Sequence, residues 1–405
     1  MSGGALAGRA ADHLAERLAA IRRELHRRPE LSHEEFETTA RIRGWLAEAG
    51  IRIADRHALR TGVIAEVGGL REGPVVALRA DIDALPIREE TGLPFASEIP
   101  GRMHACGHDF HTAAIIGAAL LLKEREAELP GTVRLIFQPA EEKASGARLV
   151  IASGALDGVS AIFGLHNKPD LPVGVFGIKD GPIMAAADGF RVEVEGRASH
   201  AAVPEAGIDP VVAAAHIVTA LQSIVSRNVG PQESAVISVT KLHGGTAWNI
   251  IPDRATLEGT IRTFDRAVRN RVLERFRQVV RGTADAFGAR AAIRWIEGPP
   301  AVLNEARLAE LAAETAAALG FRAVVPVPSL AGEDFAFYQE RVAGLFVFAG
   351  TAGPEAWHHP KFDVDERALA PTAAFFAALA ERALAEWRQP RSGVGQACPA
   401  PSGPA

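Results

Sequence analysis

The chain has 405 residues, of which 48% are hydrophobic and 23% are charged, and its net charge is −5 at neutral pH. Such a length and composition are typical of a globular protein that can build two separate cores. The acidic balance and the lack of a basic stripe argue against nucleic acid as a partner. No apolar run approaches the roughly 18 residues that a membrane span requires.

The N-terminus lacks the apolar core of a signal peptide, so we expect a cytoplasmic protein. There are two cysteines, Cys106 and Cys398, and the second lies in a tail rich in proline, glycine and serine. A structural disulfide is therefore not expected. Cys106 becomes a candidate thiolate.

Helices and strands alternate in the first half of the chain. An amphipathic helix is predicted over 12–28, and Ser32 with Glu35 matches the capping box of a second helix that ends at Ala49. Strands are predicted at 62–67, 74–81, 132–138 and 161–166, with a helix after His111 and a short one at 146–152. This alternation indicates an α/β fold with a mostly parallel sheet.

The pattern changes near residue 187, where residues 190–196 alternate between apolar and polar side chains. The predicted elements that follow are a helix (208–228), two strands (234–243 and 253–263), a helix (266–287) and a strand (290–297). The order β-α-β-β-α-β is that of a ferredoxin-like α+β unit. One face of its sheet would be free to serve as a dimer edge or a lid.

The α/β pattern returns after 301, with helices predicted at 304–319, from Gly332 onward and at 366–388, and strands at 321–326 and 345–349. We therefore predict a catalytic, metal-binding domain from 1–186 and 300–388. Residues 187–299 form an inserted lid or dimerisation domain in this prediction. Residues 389–405 are predicted to be a disordered tail.

A short loop, 103–111, concentrates three histidines, one aspartate and Cys106 immediately before an apolar, helix-forming stretch. Thiolate and imidazole groups at the start of a buried helix are typical of a transition-metal site. Further donor side chains follow the predicted strands, where loops of an α/β sheet meet in a crevice. They are Asp81 and Asp83, Glu141 and Glu142, His166, and His358 and His359.

Each of these residues also has an ordinary interpretation. Asp81 and Asp83 could cap a turn, the two glutamates could be a solvated pair, and Cys106 could be a small buried side chain. Their coincidence at several strand ends is the stronger observation. With His108, the set of N, O and S donors suits zinc, or manganese, cobalt or nickel in a mixed site.

The adjacent Glu141 and Glu142 suggest two roles. Neighbouring side chains on an extended segment point in opposite directions, so both cannot easily bind one face of a metal. One would be a ligand, and the other would be a general base that later donates its proton to a leaving amine.

The chain resembles the metallopeptidase and amidohydrolase family of aminoacylases and zinc carboxypeptidases, in the branch with hippurate hydrolase and the plant auxin–amino acid conjugate hydrolases. The resemblance rests on motifs that occur in order along nearly the whole chain: HRRPEL (26–31), LRADIDALP (78–86), HACGHD (104–109), QPAEE (138–142), GLH (164–166), GRASHAAVP (196–204), NIIPD (249–253), GTIR (259–262), GED (332–334) and HHP (358–360).

The resemblance implies a zinc-peptidase-like catalytic domain with two metal ions bridged by Cys106. One ion would also bind Glu142 and His358, and the other would bind His108 and His166. Glu141 would be the base. The pattern favours the histidine two residues before Pro360, which is His358, although spacing alone does not separate it from His359. Arg79 stands where the wider family often has a histidine ligand, which leaves Asp81 outside the ligand set.

The resemblance also assigns residues of the inserted domain. His200 would reach the active site of a partner subunit and stabilise an oxyanion, and Asn249 and Arg262 would hold the substrate carboxylate. From the residues alone, Arg262 could equally lie on an exposed strand face with Arg254 and Glu258. An arginine is nevertheless the side chain best suited to bind a carboxylate through two parallel hydrogen bonds.

We therefore expect a metal-dependent enzyme that hydrolyses the amide bond of N-acyl amino acids, of the N-acetyl or N-benzoyl type, to a carboxylic acid and a free amino acid. Two divalent ions, zinc or manganese with cobalt or nickel as alternatives, would be its cofactors. We expect a homodimer or higher homo-oligomer formed through the inserted domain. A dipeptidase or carboxypeptidase is the alternative hypothesis, and a non-catalytic metal- or amino-acid-binding protein is a third hypothesis.

Overall fold

The structure is a computed structural model, and it describes residues 3–57 and 59–388. The predicted disordered tail, 389–405, lies outside the described residues. The helices are α1 (Gly3–Arg27), α2 (Phe36–Glu48), α3 (His108–Glu124), α4 (Gly146–Ala152), α5 (Pro210–Asn228), α6 (Arg266–Ala286), α7 (Ala306–Ala318), α8 (Ala336–Gln339) and α9 (Leu369–Arg388).

Sixteen strands lie in the described part of the chain. They are β1 (Arg52–Ile53), β2 (Val63–Gly68), β3 (Val75–Asp81), β4 (Thr132–Gln138), β5 (Val159–Lys168), β6 (Val175–Gly177), β7 (Gly181–Met184), β8 (Ala186–Glu195), β9 (Ser199–His200), β10 (Ala235–Gly244), β11 (Ile250–Ile251), β12 (Arg254–Thr263), β13 (Arg290–Ile296), β14 (Val302–Asn304), β15 (Arg322–Val324) and β16 (Ala343–Gly350).

Eight strands form a mixed sheet in the order β1-β2-β4-β3-β5-β16-β6-β15. The four central strands, β4, β3, β5 and β16, are parallel to one another, and antiparallel pairs occur towards both edges. These central strands are buried on both faces, as their nearly continuous apolar sequences require. The predicted α/β class with a mostly parallel core is confirmed.

Helices cover both faces of this sheet. Along β3, Val76 and Leu78 belong to one apolar cluster together with residues of α1, α3, α7 and α9. Ala77, which points to the opposite face, belongs to a second cluster with residues of α4 and α8. The parallel strands β3, β4 and β5 therefore end at one edge of a rigid three-layer core, and that edge carries Asp81, Gln138 and His166.

The residues between 186 and 296 form a second sheet, antiparallel and four-stranded, in the order β10-β12-β8-β13. The elements along the chain are β8, α5, β10, β12, α6 and β13, which is the predicted ferredoxin-like order. This sheet has its own apolar cluster with α5 and α6. The use of this unit as a lid or dimerisation domain, with boundaries at 187 and 299, stays a prediction.

The capping box predicted at Ser32 and Glu35 is wrong. Helix α2 begins at Phe36, and its N-cap residue makes no side-chain capping hydrogen bond. The Ser32 hydroxyl instead donates to Asp83, 2.6 Å away, and Glu35 accepts a hydrogen bond from the backbone N–H of Ala140 at 2.8 Å. The two side chains that would form a local capping motif instead form hydrogen bonds with distant parts of the chain.

Two further predictions are corrected. The segment from Gly332 forms a turn rather than a helix start, because Glu333 accepts from Arg79 and from the N–H of Phe335, and helix α8 has only four residues. The predicted strand at 190–196 ends before His200 and would leave it in a loop, but His200 belongs to a two-residue strand that pairs with Ile250–Ile251.

Two helices among the described residues, Pro210–Asn228 and Glu366–Trp387, are long and apolar enough to cross a membrane by length and composition alone. The second lies largely within the core beneath the large sheet, where α9 packs against α3. The first packs one face against the small sheet. Packing of this kind is the ordinary reason for apolar helices in a globular fold.

Candidate metal centre

The Cys106 loop is held tightly at the start of helix α3. Gly107 is the N-cap of the helix and has a φ of 83°, a conformation that glycine adopts without steric cost. A Cβ atom at this position would lie 2.4 Å from Asn167 Nδ2, so the neighbouring strand end also requires glycine. The loop thereby places Cys106 and His108, both buried, at the carboxyl edge of the large sheet.

The five predicted ligands come together as two groups that share one residue. Donor atoms of Cys106, His108 and His166 lie within 4.8 Å of one another, and so do those of Cys106, Glu142 and His358. Cys106 is common to both groups. These two groups contain the residues that the family resemblance assigns to the two half-sites, and the assignment of ligands stays a prediction.

Hydrogen bonds fix the orientation of His166. Its Nδ1–H donates to the backbone carbonyl of Asn167 at 2.9 Å. Its other ring nitrogen, Nε2, lies 3.4 Å from Cys106 Sγ. The ring of Trp357 packs against the His166 ring, with 4.3 Å between centroids. Because one ring nitrogen is already bonded, the other is presented as a ligand, the usual arrangement for histidine at a metal.

The structure distinguishes His358 from His359. His358 has a φ of 65°, and its N–H donates to the carbonyl of Ala105, which brings its side chain to 3.4 Å from Glu142 Oε1. His359 is turned away, and its Nδ1 accepts from the N–H of Lys361. A left-handed backbone at a non-glycine residue is costly and clusters at functional sites. The arrangement favours His358 as the ligand.

Glu141 and Glu142 lie in a single 3₁₀ turn, Glu141–Lys143, rather than on the extended segment assumed from the sequence. Successive residues of such a turn still point about 120° apart, because it has three residues per turn. Glu142 forms one group with Cys106 and His358, and Glu141 forms another with Glu333 and Asp334. Both carboxylates also have an oxygen within 4.8 Å of His108. The two side chains therefore have different surroundings despite being neighbours.

The surroundings of Glu141 favour its protonated form. Burial raises the pKa of Glu141 well above its usual value, and the negative charges of Glu333 and Glu142 add to this effect. Its Oε1 accepts a hydrogen bond from the N–H of Asp334 at 3.4 Å. A carboxylate with a raised pKa can hold a proton near neutral pH, which suits a group that moves protons.

Arg79 lies behind the site and is completely buried. Its guanidinium is 2.7 Å from Asp81, 3.0 Å from Glu333 and 3.0 Å from Asp334, and it also donates to Gln138. Asp81 in turn accepts from His111 Nδ1 at 2.6 Å. Arg79 and Asp81 thus belong to a buried ionic network. Asp81 also forms a group with His108 and His111 whose donor atoms lie within 4.8 Å of one another, so its place outside the ligand set stays a prediction.

The donor set fits a pair of divalent ions. His108 Nε2 and Glu142 Oε1 are buried without a hydrogen-bond partner among the described residues. Burial and the charge of Glu142 raise the pKa of the Cys106 thiol well above its usual value, so a thiolate there needs a nearby cation. Unpaired donors and a thiol enclosed by carboxylates are what a metal centre would satisfy.

The inserted unit carries three further residues that were predicted to belong to the site. His200 and Asn249 are exposed, and they belong to adjoining segments because Ala201 N–H donates to the Asn249 carbonyl. Arg262 is half-buried, and it makes no hydrogen bond or ion pair with any side chain that the structure describes. A Cβ placed on Gly332 would be 3.4 Å from Arg262 Nη1, so the guanidinium lies beside the GED segment.

Sequence reasoning missed several residues that shape the site. Asn167 donates to the Cys106 carbonyl at 2.5 Å and accepts from Trp357 Nε1 at 3.1 Å. Asp83 accepts from the N–H groups of both Glu141 and Glu142. For Asn167 and Trp357 the only sequence signal was proximity, since Asn167 follows His166 and Trp357 precedes His358. Asp83 was a candidate donor at a strand end, but its bonds to the Glu141 and Glu142 N–H groups were not predicted.

Comparisons with known proteins agree with this geometry. The sequence model of the family described as "Peptidase family M20/M25/M40" matches residues 77–382 of this chain. An N-acetylcysteine deacetylase of Bacillus subtilis is 55% identical over 364 residues, which are 90% of this chain and 96% of the relative. The IAA-amino acid hydrolase ILR1-like 4 of Arabidopsis thaliana is 40% identical over 380 residues, covering 91% of this chain and 86% of the relative.

A solved structure is also similar. It is a dinuclear metal-binding peptidase of the M20 family from Bacillus subtilis, with a TM-score of 0.85 and 51% sequence identity. The match covers 92% of this chain and 99% of that one. The predicted resemblance to metallopeptidases and amidohydrolases is confirmed, and the chain belongs to peptidase family M20/M25/M40, whose members include metal-dependent hydrolases.

Proposed function

We propose that this chain is a metal-dependent amidohydrolase that cleaves N-acyl amino acids into a carboxylic acid and a free amino acid. The observation that carries the proposal is the pair of ligand groups sharing Cys106, with Glu141 beside them on the same turn as Glu142. A binding protein needs ligands only. A separate carboxylate held next to the ligands is the arrangement that hydrolysis requires.

Two divalent ions would be held by this chain. Cys106, His108 and His166 would bind one, and Cys106, Glu142 and His358 would bind the other. When bound, the ions would polarise the amide carbonyl and lower the pKa of water. Zinc and manganese are the first candidates, with cobalt or nickel next, because a mixed thiolate, imidazole and carboxylate set accepts several metals.

Glu141 would move the proton. Its carboxylate would accept a proton from the attacking water and then donate it to the departing nitrogen. The raised pKa of Glu141 supports the second half of this role, since a carboxylate with an ordinary pKa would release the proton to solvent rather than retain it for transfer. The N–H of Asp334 holds the carboxylate in place during the exchange.

Arg262 and Asn249 would bind the carboxylate of the substrate. Arg262 is a half-buried cation that forms no ion pair or hydrogen bond with the described side chains, and it lies next to the GED segment that reaches Glu141. Burial lowers the pKa of Arg262, and the opposing charge of Asp188, which is itself paired with Arg269, only partly offsets this effect. A substrate carboxylate would offset the cost of burying this charge, whereas a neutral group would not.

His200 would act on the active site of a second copy of the chain and stabilise the developing oxyanion. Its ring is exposed, and one nitrogen, Nδ1, accepts from the N–H of Ala202, which leaves Nε2 available. Strand β10 is an exposed edge of ten residues, a form that readily pairs with another strand. A homodimer or larger homo-oligomer formed through this unit is therefore part of the proposal.

Mixed dimers test this arrangement. A chain with Glu141→Gln and a chain with His200→Ala should each be inactive alone. If His200 acts across the subunits, co-assembly of the two variants restores one complete site in each mixed dimer. A mixture that stays inactive after verified exchange of subunits would show that His200 acts within its own chain or not at all.

The substrate class is tested by comparing N-acetyl, N-benzoyl and dipeptide substrates side by side with metal-loaded protein. We expect the N-acyl amino acids to be hydrolysed with the higher kcat/KM, as the acetylated substrate in the name of the 55% identical relative suggests. Preference for dipeptides would favour a dipeptidase or carboxypeptidase. Tight binding of amino acids without turnover would favour a binding protein.

We also place the enzyme in the cytoplasm. A Cys106 thiol that must remain free to bind metal is best preserved in a reducing compartment. Recovery of active, metal-loaded protein from the cytosolic fraction would support this location, and its recovery only after export would contradict it.

A further inference from the structure

Three consecutive backbone N–H groups at the catalytic turn are bound by carboxylates from other parts of the chain. The N–H of Ala140 donates to Glu35 Oε1 at 2.8 Å. The N–H of Glu141 donates to Asp83 Oδ1 and that of Glu142 to Asp83 Oδ2, each at 3.1 Å. Successive N–H groups beside a left-handed residue form a concavity that binds anions, and Asp83 supplies the anion here.

The turn needs such a restraint. Ala140 and Ala144, which flank it, have φ values of 52° and 49°. A left-handed conformation at a residue other than glycine costs roughly 1–2 kcal/mol, so this turn persists only where surrounding groups hold it. Within the turn, the side chains of Glu141 and Glu142 point away from its backbone towards the ligand groups.

Asp83 also contacts the metal loop. It is 1% exposed, and its Oδ1 lies 3.3 Å from His108 Nδ1. Its Oδ2 accepts from the Ser32 hydroxyl at 2.6 Å as well as from the N–H of Glu142. One carboxylate therefore joins the turn that carries the base to the histidine of the other half-site. Asp83 thus lies at ion-pair distance from Nδ1 of His108, and Nε2 of His108 lies 3.9 Å from Glu142 Oε1 in the ligand groups.

We propose that Asp83 is a positioning residue that fixes the Glu141–Glu142 turn relative to His108, with Ser32 holding Asp83 itself in place. The inference rests on the proposed function. The contacts of Asp83 are to the turn, His108 and Ser32, so it acts through the base and the ligand that it joins. The two oxygens have different partners. Oδ1 contacts the Glu141 N–H and His108, and Oδ2 accepts from the Glu142 N–H and the Ser32 hydroxyl.

The Asp83→Asn variant tests this inference because it keeps the shape of the side chain. In the asparagine, an NH2 group replaces one of the two carboxylate oxygens. This group cannot accept a hydrogen bond from the backbone N–H that it faces. Loss of a carboxylate that supports a metal-binding histidine typically lowers metal affinity or activity about 10–100-fold. We expect kcat to fall by this factor with little change in KM, and the acidic limb of the pH–rate profile to move.

Two other variants make the test decisive. Ser32→Ala removes only the contact to Oδ2, so it should give a smaller fall in kcat of the same kind while folding normally. Glu66→Gln is the matched control, since Glu66 is also buried, at 3% exposure, and is held by Arg134 and Arg56 away from the ligand groups. It should lose stability without a change in kcat or in the pH profile.

Readouts other than turnover separate this inference from the proposed function. Hydrogen exchange of metal-free protein should show faster exchange of the Glu141 and Glu142 amides in Asp83→Asn than in the wild type. Cobalt titration should show weaker binding and a changed thiolate-to-cobalt absorption band. Both tests remain valid if the wild type proves inactive on amides. Unchanged exchange, cobalt binding and kcat in Asp83→Asn would overturn the inference.

Discussion

Replacing Arg79 by methionine should destabilise the protein more than replacing Arg134, another buried arginine that is paired with a carboxylate. Arg79 has no exposed surface, and it is the only cation that contacts Glu333 or Asp334 among the described residues. The Arg79→Met variant would leave these carboxylates buried without a positive partner. Breaking a buried ion pair from one side costs about 3–5 kcal/mol, and we expect a loss of unfolding free energy in that range.

Arg134 provides the matched control. It is also buried, and it makes two contacts with Glu66, at 3.1 and 3.0 Å, together with bonds to two backbone carbonyls. Glu66, however, keeps Arg52 and Arg56 as partners when Arg134 is removed. The Arg134→Met variant should therefore lose only about 1.5–3 kcal/mol, the value of hydrogen bonds to a charged group.

The pH dependence of the loss of unfolding free energy in Arg79→Met shows whether buried carboxylates cause it. Burial raises the pKa of Glu333 to about 8 and that of Asp334 to about 6, even with Arg79 present. Both values exceed those of the unfolded chain, so the folded state binds more protons and unfolding free energy falls as pH rises towards 8. Removing Arg79 raises both pKa values further. The loss caused by Arg79→Met should then be smaller at pH 5 than at pH 8.

Urea unfolding of the metal-free variants at pH 5 and pH 8 measures these differences. The reasoning would be refuted if Arg79→Met and Arg134→Met lost equal free energy at pH 8. It would also be refuted if the Arg79→Met loss did not depend on pH, since that would mean that the carboxylates are not left as buried charges.

Two other predictions concern ligand and substrate contacts. His358→Ala should weaken binding of one metal ion by at least tenfold in a competition titration with a chelator, whereas His359→Ala should bind both ions normally; equal effects would remove His358 from the ligand set. Arg262→Lys should raise KM for N-acetyl amino acids about tenfold or more with a smaller change in kcat, because the paired hydrogen bonds to the carboxylate are lost. The exposed Arg254→Lys is its control, and an unchanged KM in Arg262→Lys would exclude carboxylate binding there.

Much of the fold follows from periodicity along the chain. The continuous apolar run in β3 identifies a strand that is buried on both faces. The alternation of apolar and polar residues in β8 identifies a strand with one buried face, in the smaller sheet. Because parallel strands end at one edge, the donors after them had to lie near one another. The position of His166 at the end of β5 is a direct consequence of this rule.

Contacts between distant residues could not be predicted in this way. Ser32 and Glu35 have the local pattern of a helix cap, yet each bonds to a residue more than 50 positions away. Glu333 resembles the first turn of a helix, but its partner, Arg79, is 254 residues distant. Local patterns describe only what a segment prefers, and a buried charge elsewhere can recruit the same side chains for a tertiary contact.

The central claim is that Glu141 is the proton-transferring base beside a two-metal centre, and the Glu141→Gln variant tests it most directly. Metal content and kcat should be measured on the same preparation with an N-acetyl amino acid. We predict that the variant holds as much metal as the wild type and that its kcat falls about 10²–10⁴-fold. A kcat close to that of the wild type, with the metals in place, would contradict the account.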